Sequence, residues 1–364
     1  MKPHVVLLGA ANSIHLQRWA LALAARGRRI SVVSQHVAQA LPLPREIALH
    51  ALPVRSSTGY LLNAWPLRRL LARLQPDLLH AHYASGYGTL ARLAGWRPTL
   101  LSVWGSDVYE FPARGPLQAR LLRGNLRAAQ ALASTSEAMA GQLRRLWPAA
   151  GPIAITPFGV DTARFSPAPG ERTAGGALTL GTVKTLAPAY GIDLLLQAFA
   201  VLRQRLPAAA LRLRLVGGGP QRAELLALAQ ALGLGDTVEF IGPVDHAEVP
   251  AQLRLLDIYV APSRHESFGV AVIEAMACGL PVVVSDAGGL PEVVQAGVSG
   301  LVVPVGDVAA LADALAALVV DAGLRRRLAQ AGRDRAVAQY DWPRCVDRMV
   351  ACQDAAIAAA SAPR

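Results

Sequence analysis

Lysine is almost missing from this 364-residue chain: only Lys2 and Lys184 occur, and arginine supplies the rest of its 36 cationic side chains. Cysteine is scarce too. Cys278, Cys345 and Cys352 are an odd number with no C-x-x-C spacing, so neither a disulfide framework nor a zinc knuckle follows and a reducing compartment fits. Cys278, in an alanine-rich stretch, reads as small core filler. Aromatic residues make up 5% and are not interleaved with the arginines, which argues against a nucleic-acid partner. Long apolar runs are absent as well. Phe268–Ser285 is interrupted by Glu274, Gly279 and Pro281, whereas a spanning helix needs roughly 18 or more clean apolar residues. The opening HVVLL run is followed at once by Asn12 and His15, so it reads as a first strand and its loop, not a signal peptide. There is no D-x-D, no H-E-x-x-H and no G-x-x-x-x-G-K, so metal binding is not supported and a P-loop is excluded.

Hydrophobic residues are 53% and charged residues 17%, which excludes disorder. The length suggests two domains at about 100–200 residues each. The net charge of +11 is uneven: residues 1–170 carry 19 basic and 6 acidic residues, whereas 171–364 carry 17 and 19. An anionic partner for the first half is implied, and an anionic lipid surface or a phosphorylated acceptor fits better than nucleic acid. A solvated arginine-rich face is the plainer alternative.

Short β-branched runs alternate with helical stretches, the pattern of parallel sheets wrapped by helices. Strands are expected at His4–Leu8, Ile30–Ser34, Leu78–His82, Thr99–Trp104 and Leu132–Ser134, with a first helix through Trp19–Ala25. Proline and glycine cluster over residues 157–176, a linker signature. A second series follows at Leu178–Val183, Leu211–Val216, Val238–Ile241, Ile258–Ala261 and Pro281–Ser285, with helices at Leu194–Leu206 and Gln221–Leu232. The fold expected is α/β, two doubly wound Rossmann-like domains facing across a cleft, where ligands bind beyond the carboxyl ends of the strands. The alanine-rich tail Ala355–Pro363 is expected to fray.

The sharpest local feature is PSRHESFG at 262–269, running on through Val270–Ala277. A strand feeds a polar loop and a helix is expected to open near Ser267. Its unpaired N–H groups, with Gly269 permitting close approach, suit a diphosphate. Glu274 sits among Val270, Val272, Ile273 and Met276, and a carboxylate there needs a partner. Glu266, Ser267, Phe268 and Gly269 followed by Glu274 resemble the E-x7-E motif of the family 4 retaining glycosyltransferases (glycosyl transferases group 1), which have the GT-B fold. Further along, TPFGVDTARFSP at 156–167, LVGGGP at 215–220, SDAGGLPEV at 285–293 and VSGLVVPVG at 298–306 resemble the family's hinge and glycine turns in order. Phe158 stands where the family usually has Asn.

The resemblance implies domains of residues 1–165, binding the acceptor, and 166–340, binding a nucleotide-sugar, with a C-terminal helix at 340–360 packing back on the first. It places Glu266 against sugar hydroxyls, Glu274 on the ribose, and Phe268, Gly269 and Val270 on the phosphates. Gly217 and Gly218 form the strand-end turn, and Gly242 lies in the loop that meets the base. Lys184 takes a cationic role at the diphosphate, but Tyr190 occupies the position of a second, usual Lys; Arg264 and Arg222 are candidates for the missing cation. In the first domain Asn12, Ser13 and His15 form a strand-to-helix loop, where Asn12 and Ser13 are equally ordinary helix caps. His82 is preferred over His80 as the family's active-site histidine. Trp104-Gly105-Ser106-Asp107 resembles an H-G-S-D turn with Trp for His, leaving Asp107 to orient the acceptor or cap a helix; Glu137 reads as a helix-start residue.

The expected function is therefore retaining, metal-independent transfer of a hexosyl unit from a nucleoside-diphosphate sugar to a saccharide or lipid-linked acceptor in bacterial polysaccharide or glycolipid synthesis. No cofactor is expected beyond that co-substrate, and the location expected is cytoplasmic, peripheral at the inner membrane face. Rival readings are a GT-B sugar-nucleotide epimerase and a non-catalytic nucleotide-sugar-binding protein. A Rossmann oxidoreductase is disfavoured because Arg222 stands where the third glycine after Gly217 would fall.

Overall fold

The computed structural model describes residues 2–37, 43–168 and 176–361. The chain forms two compact units, one of residues 1–157 with 345–364, the other of residues 158–344. The division thus falls at Pro157–Phe158 and Arg344–Cys345, not at 165/166 and 340.

The first unit is built on seven parallel strands: β1 (His4–Leu8), β2 (Arg29–Ser34), β3 (Ala48–Ala51), β4 (Leu78–His82), β5 (Thr99–Val103), β6 (Ala131–Ser134) and β7 (Ile153–Ile155). Their order is β3-β2-β1-β4-β5-β6-β7. Every residue of β1, β4 and β5 is buried, the histidines of β4 included, because helices cover both faces of a parallel sheet. The second unit has six parallel strands: β8 (Leu178–Val183), β9 (Leu211–Val216), β10 (Val238–Gly242), β11 (Ile258–Ala261), β12 (Val282–Ser285) and β13 (Leu301–Val303), in the order β10-β9-β8-β11-β12-β13.

Several boundaries differ from the sequence reading. The first helix runs Ile14–Ala25, starting well before Trp19. The helix expected near Ser267 opens at Val270 and ends at Ala277, so Glu266 lies in the loop before it. Part of the expected linker is packed structure: Phe158, Val160 and Phe165 are buried in the second unit, and Arg333 donates to the carbonyls of Phe165 and Thr162. Pro169, Gly170 and Gly175 of that linker lie outside the described residues.

The tail is not frayed as far as it is described. A helix spans Trp342–Ser361, and Cys345, Val346, Met349, Gln353 and Ala356 are buried along it; Pro363 is outside the described residues. Within the first unit, Arg26 pairs with Asp347 and Arg28 with Asp354, each at 2.7 Å. The Gln353 amide meets Nδ1 of His80 at 3.1 Å.

Candidate active site

In the second unit the polar residues gather beyond the carboxyl ends of β8, β9 and β11, where strand polarity brings loops together. Lys184 leaves β8, and its Nζ donates to Oε2 of Glu266 at 2.6 Å, with the two side chains 15% and 11% exposed. Glu266 is fixed by its backbone, whose carbonyl accepts from Gly289 N–H at 3.1 Å. The Lys184 ammonium also lies 4.3 Å from the centre of the Tyr190 ring. Burial opposes the charge on Lys184, but the facing Glu266 carboxylate, Tyr259 and the hydrogen bond to Glu266 outweigh it, and the pKa is raised.

Beside Lys184 lies a cavity of about 420 Å³, lined among others by Gly217, Gly218, Pro243 and Glu274. Gly217 is obligatory there: its φ is +143°, and a Cβ would sit 1.9 Å from the Lys184 carbonyl oxygen. Its N–H donates to the Gly242 carbonyl at 2.8 Å, joining the ends of β9 and β10. Glu274 is 7% exposed, and its Oε1 meets Nε2 of His246 at 3.1 Å. Gly269, at φ +108°, is the N-cap of the Val270–Ala277 helix, and the first N–H groups of that helix have no intrahelical acceptor. Ser267 is half-buried beside Glu266, while the Phe268 ring is buried against Tyr340 with centroids 5.7 Å apart. Phe268 therefore offers its backbone, not its ring, to any ligand.

The second cation sought in the sequence is not Arg264. Its guanidinium is bidentate on Asp193, at 2.7 and 2.6 Å, and so is committed to the fold. Arg222 is the exposed first residue of the Arg222–Ala231 helix. Tyr190 offers an aromatic face in place of an ammonium, and that face lies on Lys184.

The first unit holds a separate aromatic cluster at the ends of β1, β4 and β5. His80 and His82 lie with ring centres 4.1 Å apart and planes inclined by 39°, and Trp104 lies 4.9 Å from His82 and 6.0 Å from His15. His80 is satisfied on both nitrogens, by Ser102 at 2.7 Å and by Gln353. His82 is 1% exposed, and neither ring nitrogen has a partner. Burial pushes the His80 pKa down to about 3, and burial with His80 alongside holds His82 well below the usual value. Asn12 is exposed and Ser13 half-buried; Ser13 occupies the N-cap of the first helix without a side-chain capping bond.

Asp107 takes the structural role. It is 1% exposed, and its oxygens accept from the N–H groups of Ala84, Gly105 and Trp104 at 2.7, 2.8 and 3.2 Å, tying the turn after β4 to the turn after β5. Burial raises its pKa despite those donors. It is not placed to orient an acceptor. Glu137 begins a helix whose N-cap is Ser136. Burial pushes the Cys278 thiol up to about 12, which leaves it inert. His246 escaped the sequence reading, which named only Gly242 in the loop that meets the base, four residues before it. Its signal was the unpaired carboxylate: Glu274 required a partner. Among the described residues no group of three or more His, Cys, Asp or Glu could hold a metal ion, and no helix is long and apolar enough to cross a membrane.

Two parallel-sheet α/β units, one carrying a cation–carboxylate pair and a glycine turn at its strand ends, define the GT-B class of glycosyltransferases. Comparison with known proteins agrees. Residues 170–335 match the model of the family described as glycosyl transferases group 1, and residues 4–136 that described as glycosyl transferase 4-like. The D-inositol 3-phosphate glycosyltransferase of Salinispora arenicola is 34% identical over 313 residues, covering 78% of this chain and 69% of that protein. The GDP-mannose-dependent alpha-(1-6)-phosphatidylinositol monomannoside mannosyltransferase of Mycobacterium tuberculosis is 32% identical over 293 residues, 76% of this chain and 75% of that one. Among solved structures, sucrose-phosphate synthase from Thermosynechococcus elongatus superposes with a TM-score of 0.83 at 24% identity, over 98% of this chain and 100% of that one. The chain belongs to the glycosyl transferases group 1 family and is a retaining glycosyltransferase that draws on a nucleotide-sugar donor.

Proposed function

We propose that the second unit binds a nucleoside-diphosphate sugar beyond β8, β9 and β11, and that the first unit receives a lipid-linked saccharide. The observation carrying this reading is the Lys184–Glu266 pair at the edge of the cavity that Glu274 lines. A diphosphate needs cationic and N–H donors, and Lys184 with the N–H groups of Gly269 and Val270 supply both without a metal ion. Glu274, nearly buried, is suited to accept from ribose hydroxyls, and Glu266 to hold sugar hydroxyls. Gly217, Gly218 and Gly242 leave room for the nucleoside, and Tyr190 supports Lys184 from below.

In the reaction so assigned, the bond between the anomeric carbon and the diphosphate oxygen breaks while Lys184 stabilises the departing charge. The acceptor oxygen bonds the same face, and its proton passes to the leaving phosphate. Glu266 positions the sugar and does not attack it. In the first unit His82, with Asn12, Ser13 and His15, is assigned to the acceptor. The charge of that half and the phosphate-bearing acceptors in the relatives' names support an anionic, lipid-linked acceptor, with the protein peripheral at the inner membrane face during polysaccharide or glycolipid synthesis.

The test is thermal stabilisation of the whole chain by UDP, GDP, ADP and their sugar conjugates, without added metal. A ligand at about 100 times its Kd adds about 2.7 kcal/mol to the folded state. A shift with one base, lost in Glu274→Ala, is the outcome expected. Absence of a shift with every nucleotide, with or without magnesium, overturns the assignment. Conversion of the donor to a sugar epimer without acceptor would favour the epimerase.

A further inference from the structure

Helices Ala64–Leu74, Gly86–Ala94 and Pro116–Ala128 pack side by side in that order, sharing one core with β4 and β5. They carry no Asp or Glu. On the last of them Leu117, Arg120, Arg123 and Arg127 recur at helical spacing and are all exposed, Leu117 to 73%. Arg92 of the middle helix joins those three arginines around a groove of about 990 Å³ floored by Leu121, Leu146 and Trp147, and no acidic residue lines it.

The Gly59–Leu62 helix and the start of the Ala64–Leu74 helix add an independent feature. Leu61, Leu62 and Trp65 are 58%, 63% and 64% exposed, next to exposed Arg68 and Arg69. The Arg69 guanidinium lies 4.7 Å over the Trp65 ring. Residues 47–76 contain no acidic side chain at all. Large apolar tips in water are unfavourable unless a partner covers them. A polyanion such as RNA would satisfy the arginines but not the leucines. Anionic lipid satisfies both, phosphates for the guanidiniums and an acyl boundary for Leu and Trp.

We propose that this helical face docks on an anionic phospholipid bilayer, with headgroup phosphates in the groove between Arg92 and Arg127 and with Leu61, Leu62, Trp65 and Leu117 dipping into the interface. The inference deepens the lipid-linked acceptor reading and rests on it, yet vesicle binding needs neither donor nor turnover, so the two fail separately.

The test is co-sedimentation of the full chain with vesicles of phosphatidylcholine alone or mixed with equal phosphatidylglycerol. Binding is expected only to the mixed vesicles, weakening as salt is raised. The triple variant Arg120→Glu, Arg123→Glu, Arg127→Glu is expected to bind about a hundredfold more weakly, or worse. Leu61→Ser with Trp65→Ser is expected to lose about tenfold while remaining salt-sensitive. Circular dichroism and a melting curve matching the wild type report that each variant is folded; should the triple variant fail that control, Arg123→Gln alone is read for an about fivefold loss. No binding to the mixed vesicles, or unchanged binding by the folded variants, overturns the proposal. So does competition by a short RNA duplex that the Leu61 and Trp65 substitutions leave unaltered, which would make the face a polyanion site.

Discussion

Lys184 and Glu266, 82 residues apart, form an ion pair of 2.6 Å that is mostly shielded from water. The pair fastens the end of β8 to the loop after β11. It also holds a cation opposite a carboxylate at the edge of the cavity lined by Gly217, Gly218 and Glu274, so the ammonium is already desolvated and fixed in place.

Removing one partner of such a pair leaves an uncompensated buried charge. Lys184→Met should cost about 3–5 kcal/mol in chemical denaturation. It should also lower kcat by about 10²–10³ if the ammonium stabilises the leaving group. Adding Glu266→Gln should restore part of the stability and none of the turnover. A double variant as unstable as the two losses summed would show that the pair is not coupled.

The pH dependence has a definite sign. The folded pKa of Lys184 is raised above 10.5, so the contribution of the pair is complete below about pH 10.5 and is lost as pH rises through the higher folded value. The Tm difference between the wild type and Lys184→Met should be flat from neutral pH to about 10 and shrink above it. A difference that collapses near pH 8 would mean the ammonium is not held charged.

The two adjacent glycines should behave oppositely. A Cβ at Gly217 meets the Lys184 carbonyl at 1.9 Å, whereas one at Gly218 meets only Pro243 carbons at 3.5 Å. Gly217→Ala should therefore lower stability by at least about 1–3 kcal/mol and displace Lys184. Gly218→Ala should fold normally and raise the donor KM by filling part of the cavity. Equal melting curves for the two variants would contradict the geometry.

His246 holds one oxygen of Glu274. His246→Ala should raise the donor KM about tenfold, leave kcat nearly unchanged, and be partly rescued by His246→Gln. An unaltered KM with a reduced kcat would place His246 outside nucleotide binding.

The adjacent buried histidines His80 and His82 should make the first unit acid-sensitive. Both are depressed by burial, so their contribution is full above about pH 6.5 and is lost as pH falls toward the folded values, about 3 for His80. Each adds a slope of about 1.4 kcal/mol per pH unit over that window. His82→Leu should reduce the slope between pH 6 and 4 by about 1.4 kcal/mol per pH unit, leaving the shares of His80, His4, His36 and His50, without lowering stability at pH 7, because it removes two unsatisfied buried nitrogens. An unchanged slope would show that His82 is not the group taking up the proton.

Strands buried on both faces announced themselves, since His4–Leu8 and Val282–Ser285 are near-continuous apolar runs, while Leu211–Val216 showed itself by alternating leucine with arginine. The three strands that the reading missed, β3, β7 and β13, are three or four residues long and lie at sheet edges, where one neighbour suffices and no long hydrophobic run is needed. At the site, residue type and order pointed to Lys184, Glu266 and Glu274. What residue type could not supply was distance. Arg264 was a candidate for the second cation, and only the structure pairs it with Asp193; Asp107 was open between orienting the acceptor and capping a helix, and its oxygens accept from three N–H groups. Tyr190, the one departure from the family's cation, acquires a reason only when its ring is seen beneath the Lys184 ammonium.

The first unit is assembled from segments on either side of the second, so the ribosome makes residues 345–364 after the whole of the second unit. Until Gln353 emerges, Nδ1 of His80 has no acceptor or donor from that helix, and Arg28 lacks Asp354. The second unit, an uninterrupted insertion, can therefore close during synthesis while the first waits for the helix that begins at Trp342. At about 5–20 residues per second, that wait lasts on the order of ten seconds or more. A nonsense codon just before Cys345 would spare the unit holding Lys184 and leave the half-made one exposed to proteases.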